Sequence, residues 1–311
     1  MASNTVWIFS EKPDLLSELA AGARTLVDGA QVTALALGPR DGAAQIAADR
    51  VLWLGDAAQD RLVEDYVPTI AGLLERERPA LLLVGATRRG RVIAGRLAAK
   101  FGLPVLTDVT AFEGTGANMT ITHLIFGGGA VRTEKPRSEM LIATVGLGTF
   151  RAEGGTGGSA QVEDVPFVDP PWRATLKERR QRQAATVNLN VAKRVVCPGR
   201  GVAKQDDLRM IEDLARLLGA EIACTRPLAE GLGWLPRERY IGISGASIRP
   251  DLYLGVGVSG QVQHVIGMSR SKVVVAINKD ANAPIFSQAD YGIVGDLYTV
   301  VPALIDALKN R

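Results

Sequence analysis

The chain has 311 residues, 47% hydrophobic and 22% charged, with 36 basic against 33 acidic side chains and a net charge of +3. That is enough apolar material for a packed core, and at this length two domains are expected. So even a balance gives no electrostatic reason to expect nucleic acid or a membrane surface as partner.

Residues Met1 to Thr5 lead straight into Val6-Trp7-Ile8-Phe9, with no basic and then long apolar stretch before them, so no secretory signal is expected. The longest apolar runs, Leu81–Val84 and Val273–Ile277, are strand-sized, so no transmembrane segment is expected either. Cys197 and Cys224 lack metal-ligand spacing. Two thiols without an export signal predict a cytoplasmic chain with both reduced.

Val6–Phe9 predicts a strand, Asp14 to Val27 a helix, and Val32–Leu37 and Val51–Leu54 further strands. Residues 60–77 read helical, with Pro68 as a break or restart. Ala80–Val84 is apolar enough for a strand buried on both faces. Thr87 is placed to cap the next helix, on which Ile93, Leu97 and Phe101 recur at i+4. This alternation predicts a mostly parallel sheet with helices on both faces. Between Val109 and Val145 the pattern changes. Met119–Phe126 and Met140–Val145 read as strands around Gly127-Gly128-Gly129, with no room for a full helix, which predicts a smaller antiparallel excursion.

Gly154 to Asn188 reads as the domain junction, with the Gly154–Ser159 glycine cluster, Asp169-Pro170-Pro171, and a basic run from Lys177 to Arg182 that suits a solvated face. The expected domains are 1–187 and 190–311. In the second, Arg194–Cys197, Glu221–Cys224, Leu252–Val256 and Val273–Ile277 read as strands. Leu208, Ile211, Leu214, Ala215 and Leu218 mark a helix ended by Gly219, and Thr299–Leu308 is a closing helix.

The sharpest local pattern is Gly255-Val256-Gly257-Val258-Ser259-Gly260, a G-x-G-x-x-G that follows a predicted strand and opens the apolar-periodic stretch Val262, Val265, Ile266. Such glycines let backbone N–H groups approach a pyrophosphate at a helix start. The same pattern fits a tight turn that holds no ligand. A second turn, Gly199-Arg200-Gly201, leads to a helix opening with Asp206 and Asp207, which would repel a phosphate. The pyrophosphate is therefore assigned to the Ser259-Gly260 turn, and Arg200 to a side contact. His264, one turn on, is either a helix-face residue satisfied by a carbonyl or a donor or partial positive charge above a nucleotide. His123 has no acidic or Cys partner nearby in sequence. No metal cluster, Ser-His-Asp set or paired carboxylates stand out, so no catalytic residue is assigned.

From Arg249 onward, Pro250-Asp251-Leu252-Tyr253, Gly257 to His264, Ala276-Ile277-Asn278-Lys279-Asp280, Ala283-Pro284-Ile285-Phe286 and Ala289 to Asp296 follow in order. Together they resemble the FAD-binding signature of electron-transfer flavoprotein α subunits of the FixB type. The resemblance extends through Gly199-Arg200-Gly201, Thr225-Arg226 and Gly242-Ile243-Ser244-Gly245. In the first half it touches Leu81 to Thr87, Gly90 and Arg96-Leu97-Ala98-Ala99.

The resemblance implies an α/β fold whose second domain is a flavodoxin-like, doubly wound sheet holding FAD. It implies that Arg200, Asn278, Asp296 and Leu297 hold the adenosine and phosphate end. Ser259, Gly260, Gln261, Val262, Gln263 and His264 would wrap the pyrophosphate and reach the flavin. Thr225, Arg226, Ile241, Gly242, Ile243 and Ser244 complete the implied contacts, with Arg226 against the isoalloxazine, Ser244 near N5 and His264 near O2. It also implies a heterodimer with a β subunit, and an electron carrier rather than an enzyme, working between a flavin dehydrogenase, such as the acyl-CoA dehydrogenase of fatty acid β-oxidation, and a downstream acceptor. Three departures stand out. Ser244 sits where the family often has Thr, the spacing from Arg226 to Ser244 is one residue longer, and Thr144-Val145-Gly146 lacks the family's arginine. Two other readings remain at this point: a nicotinamide oxidoreductase with Asp280 on the ribose, and an interaction module whose glycine turns are only structural.

Overall fold

A computed structural model describes residues 4–310 apart from 28, 57–60, 116–117, 127–128, 151–159, 172–173, 179–186, 188 and 190. The Gly154–Ser159 cluster and most of the basic run therefore lie outside the described residues. The chain forms two compact units, one from residues 1–126 and 130–180, the other chiefly from residues 181–311.

The first unit carries β1 (Thr5–Phe9), α1 (Pro13–Leu26), β2 (Gln31–Ala36), the single turn α2 (Arg40–Ala43), β3 (Arg50–Trp53), α3 (Val67–Glu77), β4 (Leu81–Gly85) and α4 (Arg88–Phe101). β5 (Val105–Glu113), β6 (Thr120–Ile125), β7 (Ala130–Glu134), β8 (Leu141–Val145) and β9 (Gln161–Asp164) follow. They make one nine-stranded sheet, β7-β6-β5-β8-β4-β1-β2-β3-β9. It is parallel from β5 to β9, and β5-β6-β7 is the antiparallel excursion.

Alternation along β1 explains the two layers. Val6 and Ile8 pack with Leu15, Leu19 and Ala23 of α1, whereas Trp7 and Phe9 pack with Ile70 and Leu74 of α3 and Ile93 and Leu97 of α4. Pro68 starts α3, where a missing N–H is harmless, and Thr87 caps α4 by accepting from Gly90 N. β9 joins the sheet although it reads Gln-Val-Glu-Asp, because Arg50 of β3 grips Glu163 through two bonds of 2.8 Å.

The second unit contains β10 (Arg194–Pro198), α5 (Leu208–Leu218), β11 (Glu221–Ile222), β12 (Leu252–Val256), α6 (Val262–Met268), β13 (Val273–Asn278), β14 (Tyr291–Val294) and α7 (Leu297–Lys309). All five strands run parallel in the order β11-β10-β12-β13-β14. Renumbered within the unit this is 2-1-3-4-5, the flavodoxin-like doubly wound order. α5 and α7 cover one face around Val196, Leu254 and Val256, and α6 covers the other around Cys197, Tyr253 and Met268. α5 ends at Gly219, whose φ of 58° closes the last turn in a left-handed conformation. The predicted strand at Glu221–Cys224 is shorter, because Cys224 leaves the sheet to bridge Tyr240.

The turns after β10 and β12 press together with no side chains between them. Gly257 has φ +65°, and a Cβ there would fall 2.9 Å from Gly201 Cα. Gly257→Ala should therefore combine backbone strain with a backbone clash and destabilise the second unit by roughly 2 kcal/mol or more. Urea unfolding monitored at the four tryptophans is the check, and an unchanged midpoint would contradict this packing.

Candidate functional site

A cavity of about 610 Å³ opens at the C-terminal ends of β10 and β12. The chain leaves β10 toward one side of the sheet, to β11, and leaves β12 toward the other, to β13. The loops diverge there, which is where open α/β sheets bind ligands.

One wall is glycine turn. Gly201 N donates to Gly257 O at 3.0 Å, and a Cβ on Gly199 would fall 2.4 Å from that same carbonyl. Gly260, at φ +84°, faces Ile285, whose backbone N would lie 2.3 Å from a Cβ, and Ser259 O accepts from that N at 3.1 Å. The protein's own backbone thus demands these glycines. For Gly260 this contact requires a bare residue whether or not a phosphate is bound, as in the tight-turn reading of the pattern.

A second wall is the loop from Ile241 to Ser244. It is tied to the α6 segment by Ile243 N donating to Gln263 O at 3.0 Å. The third is Thr225-Arg226-Pro227, anchored by Thr225 N donating to Pro198 O at 3.2 Å. Thr225 is only 8% exposed, and its Oγ1 is buried without a hydrogen-bond partner. A buried hydroxyl left unpaired is destabilising until something pairs it.

The charges on the wall are of one sign. Arg200 and Arg226 line the cavity, and among the described residues no carboxylate does. Arg226 is mostly exposed, and its Nε donates to Glu230, which also accepts from Arg237 Nε at 3.0 Å. This holds the Arg226 guanidinium above its ordinary pKa and permanently charged.

His264 is the opposite case. Its Nδ1–H donates to Ile241 O at 3.1 Å, and its Nε2 accepts from the Tyr253 hydroxyl at 2.7 Å. Cys197 Sγ lies 4.0 Å from the same nitrogen. Burial lowers the imidazole pKa to about 4. The ring is thus neutral with both nitrogens engaged, which is the arrangement of a helix-face residue satisfied by a carbonyl. The thiols beside it are inert, with Cys224 pushed up to about 12 by burial. His123, unpartnered in sequence, has Nδ1 3.1 Å from Thr107 O and Nε2 2.9 Å from Glu134.

Of the residues expected at the site, the cavity wall unites Arg200, Thr225, Arg226, Ile241, Gly242, Ile243, Ser244, Ser259, Gly260, Gln261, Gln263, His264 and Asn278. Val262, Asp296 and Leu297 are not on it. Val262 is half exposed on α6, Asp296 caps α7 by accepting from Tyr298 N, and Leu297 is buried in the core beneath Gly257. Asn278 spans two loops, donating to Val258 O and accepting from Asp280 N. Gly201, Pro227, Tyr240, Gly257 and Val258 line the wall without having been singled out as contacts. Gly201, Pro227 and Val258 adjoin contacts that were, so chain neighbourhood was the available signal, and Gly257 lies within the G-x-G-x-x-G pattern itself. For Tyr240, the signal was a phenol directly before the Ile241–Ser244 run. Asp280 is not on the wall, and its Oδ1 accepts from Asn282 N instead of facing a ribose.

Comparison with known proteins agrees with this geometry. Residues 14–170 match the family model of the electron transfer flavoprotein domain, and residues 188–269 match that of the electron transfer flavoprotein FAD-binding domain. The chain is 44% identical to the YdiR electron transfer flavoprotein subunit of Escherichia coli (strain K12), over 99% of both chains. It is 38% identical to the protein FixB of Escherichia coli O17:K52:H18 and to that of Shigella flexneri, over 98% of both chains in each case.

The neutral His264 makes a pH prediction. Its folded pKa, about 4, is below the ordinary 6.5, so the unfolded chain takes up the proton first as pH falls. Its contribution is whole above pH 6.5 and is lost progressively as pH falls to about 4. The gap corresponds to roughly 3 kcal/mol. Unfolding free energy should drop across that window, with a shallower slope in His264→Gln. An NMR titration showing the His264 ring protonating near pH 6.5 in the folded chain would contradict the buried geometry.

Proposed function

The chain belongs to the electron transfer flavoprotein family, as an α subunit containing the FAD-binding domain, and from that premise we propose how its residues hold FAD and with what it works. The residues fit the cofactor. The carrying observation is a cavity at the sheet's switch point with two guanidinium groups, no carboxylate and one buried, unpaired hydroxyl on Thr225. An anionic pyrophosphate suits the first two features and a polar ligand atom suits the third.

Bound FAD supplies a ring system that takes up and releases electrons. The chain's own part is to hold that ring and set its electrostatics. Arg200 carries charge for the phosphates. Ser259, Gly260, Gln261 and Gln263 offer the backbone and amide groups of the turn. Asn278 contributes by fixing the loops after β12 and β13 to each other, while Leu297 supports the Gly257 turn from behind and Asp296 caps the helix that carries Leu297. Ser244 donates to the redox-active edge of the ring, and Arg226, permanently charged and planar, lies against it. His264 gives a neutral, rigid wall. The nicotinamide alternative loses support because Asp280 is not on the cavity wall and its Oδ1 is engaged by Asn282 N.

The chain then acts as an electron carrier rather than a stand-alone enzyme, in keeping with its family. It pairs with a β subunit as a heterodimer. The exposed Arg226 and half-exposed Ile243 at the cavity support a further surface closing over them. Its redox partners are a flavin dehydrogenase, such as an acyl-CoA dehydrogenase of fatty acid β-oxidation, and a downstream acceptor. Its location is the cytoplasm. Among the described residues no helix is long and apolar enough to cross a membrane, and no His/Cys/Asp/Glu group is arranged to hold a metal.

Mass spectrometry of cofactor released from the co-expressed α and β chains should give one FAD per pair of chains. Recovery of NAD, or of no nucleotide, would overturn the reading. In the loaded protein, Arg226→Ala removes a cation from beside a ring that gains negative charge on reduction. The potential should therefore fall by tens of millivolts, on a scale of roughly 59 mV per tenfold change for a one-electron couple. Full FAD content with an unchanged potential would remove Arg226 from the ring.

A further inference from the structure

The loop that faces the ring is wound around one buried side chain. Tyr240 is 2% exposed, and its carbonyl accepts from Ala246 N at 2.8 Å. Gly242 N donates to Ala246 O at 3.1 Å, and Gly245 N donates to Gly242 O at 2.9 Å. A Cβ on Gly245 would fall 2.4 Å from both the Tyr240 ring and its carbonyl, so the loop lies flat against the ring. The strand side is fixed as well. Cys224 N donates to Arg239 O and Ile241 N donates to Cys224 O, tying Tyr240 to the segment that enters Thr225-Arg226.

A phenylalanine would satisfy all of that packing. The tyrosine adds one bond: its hydroxyl donates to Ser244 Oγ at 2.7 Å. The phenol is the stronger acid of the two and so the natural donor. A serine hydroxyl that has accepted one hydrogen bond keeps its own hydrogen for another. In accepting, it is polarised into a better donor. Both residues line the cavity, Ser244 as an exposed side chain and Tyr240 as a buried one.

We propose that Tyr240 is a positioning residue that orients and strengthens the Ser244 hydroxyl as a donor to the bound flavin. The proposal rests on the reading that places Ser244 at the ring. The Tyr240–Ser244 bond fixes the direction in which the serine hydroxyl can donate, and a donor held in place in this way needs less ordering when it meets its acceptor.

The test is a double-mutant cycle on the FAD-loaded protein, read as the oxidised-to-reduced ratio at one fixed potential and as the FAD dissociation constant. Ser244→Ala should shift the ratio about tenfold toward oxidised, on the scale of one lost hydrogen bond to a charged group. Tyr240→Phe should shift it in the same direction by about threefold, with FAD affinity changed by less than that. The double variant should match Ser244→Ala alone. 3-Fluorotyrosine at position 240, a stronger donor of nearly the same size, should move the ratio the opposite way, and it serves equally if Tyr240→Phe fails to fold. A shift in Ser244→Ala with none in Tyr240→Phe or fluorotyrosine overturns the role of Tyr240 and leaves Ser244 at the ring. Additive shifts in the double variant also overturn it. No shift in any variant removes Ser244 from the ring and overturns both.

Discussion

The second unit depends on the close approach of two bare turns. Gly199 and Gly201 after β10 meet Gly257 after β12 at distances that leave no space for a Cβ on any of the three. Hydrogen bonds from Gly199 N to Val256 O and from Gly201 N to Gly257 O hold the contact. Because the chain leaves these two strands in opposite directions, the turns would otherwise splay apart. Their contact instead makes one continuous floor, and every other wall of the cavity is referred to it. Thr225 hangs from Pro198 beside one turn, Asn278 is bonded to Val258 of the other, and Leu297 fills the space beneath Gly257. The binding geometry is therefore a consequence of core packing at a strand-order reversal.

On that floor the electrostatics divide into a neutral interior and a charged rim. Tyr253, His264 and Cys197 form a buried cluster in which burial lowers the imidazole pKa and raises those of the phenol and thiol, so each is neutral near pH 7. The cations stand outside it. Arg226 is held by Glu230, which it shares with Arg237, so the guanidinium has a fixed tether and an incomplete counter-charge. A permanent charge at a rim costs little desolvation while free, and gains strength only when a further surface lowers the local dielectric. That ordering suits an electron carrier, because it keeps the tuning charge out of the folding core.

Much of this was legible in the sequence, and the misses have physical causes. β10, β12, α5 and the Gly219 cap follow from periodicity and turn chemistry alone. β9 was hidden because its strand-forming residue is a single valine and its pairing depends on Arg50 reaching Glu163 across the sheet. β7 and β14 were missed because they are sheet-edge strands whose exposed faces blur the alternation, and β5 because an irregularity around Asp108, at φ 52°, breaks its register. At the site, motif order brought most of the wall together, but it treated neighbours in sequence as neighbours on the cavity. Val262 lies off the wall, half exposed on α6 between Gln261 and Gln263, and Asp296 lies off it at the N-terminal cap of α7.

The glycine fingerprint carries two readings in the sequence, a phosphate cradle and a tight turn, and packing alone requires the second. Gly257 and Gly260 are each excluded from having a side chain by Gly201 or Ile285. Their presence therefore reports the shape of the turn. Ligand information resides in the groups that the fold leaves unpaired or directs outward: the Thr225 hydroxyl, the Arg200 and Arg226 guanidinium groups, and the hydrogen of Ser244 that remains after Tyr240 has donated. These are the side chains whose chemistry packing does not consume. They separate a flavin pocket from a turn of the same shape that holds nothing.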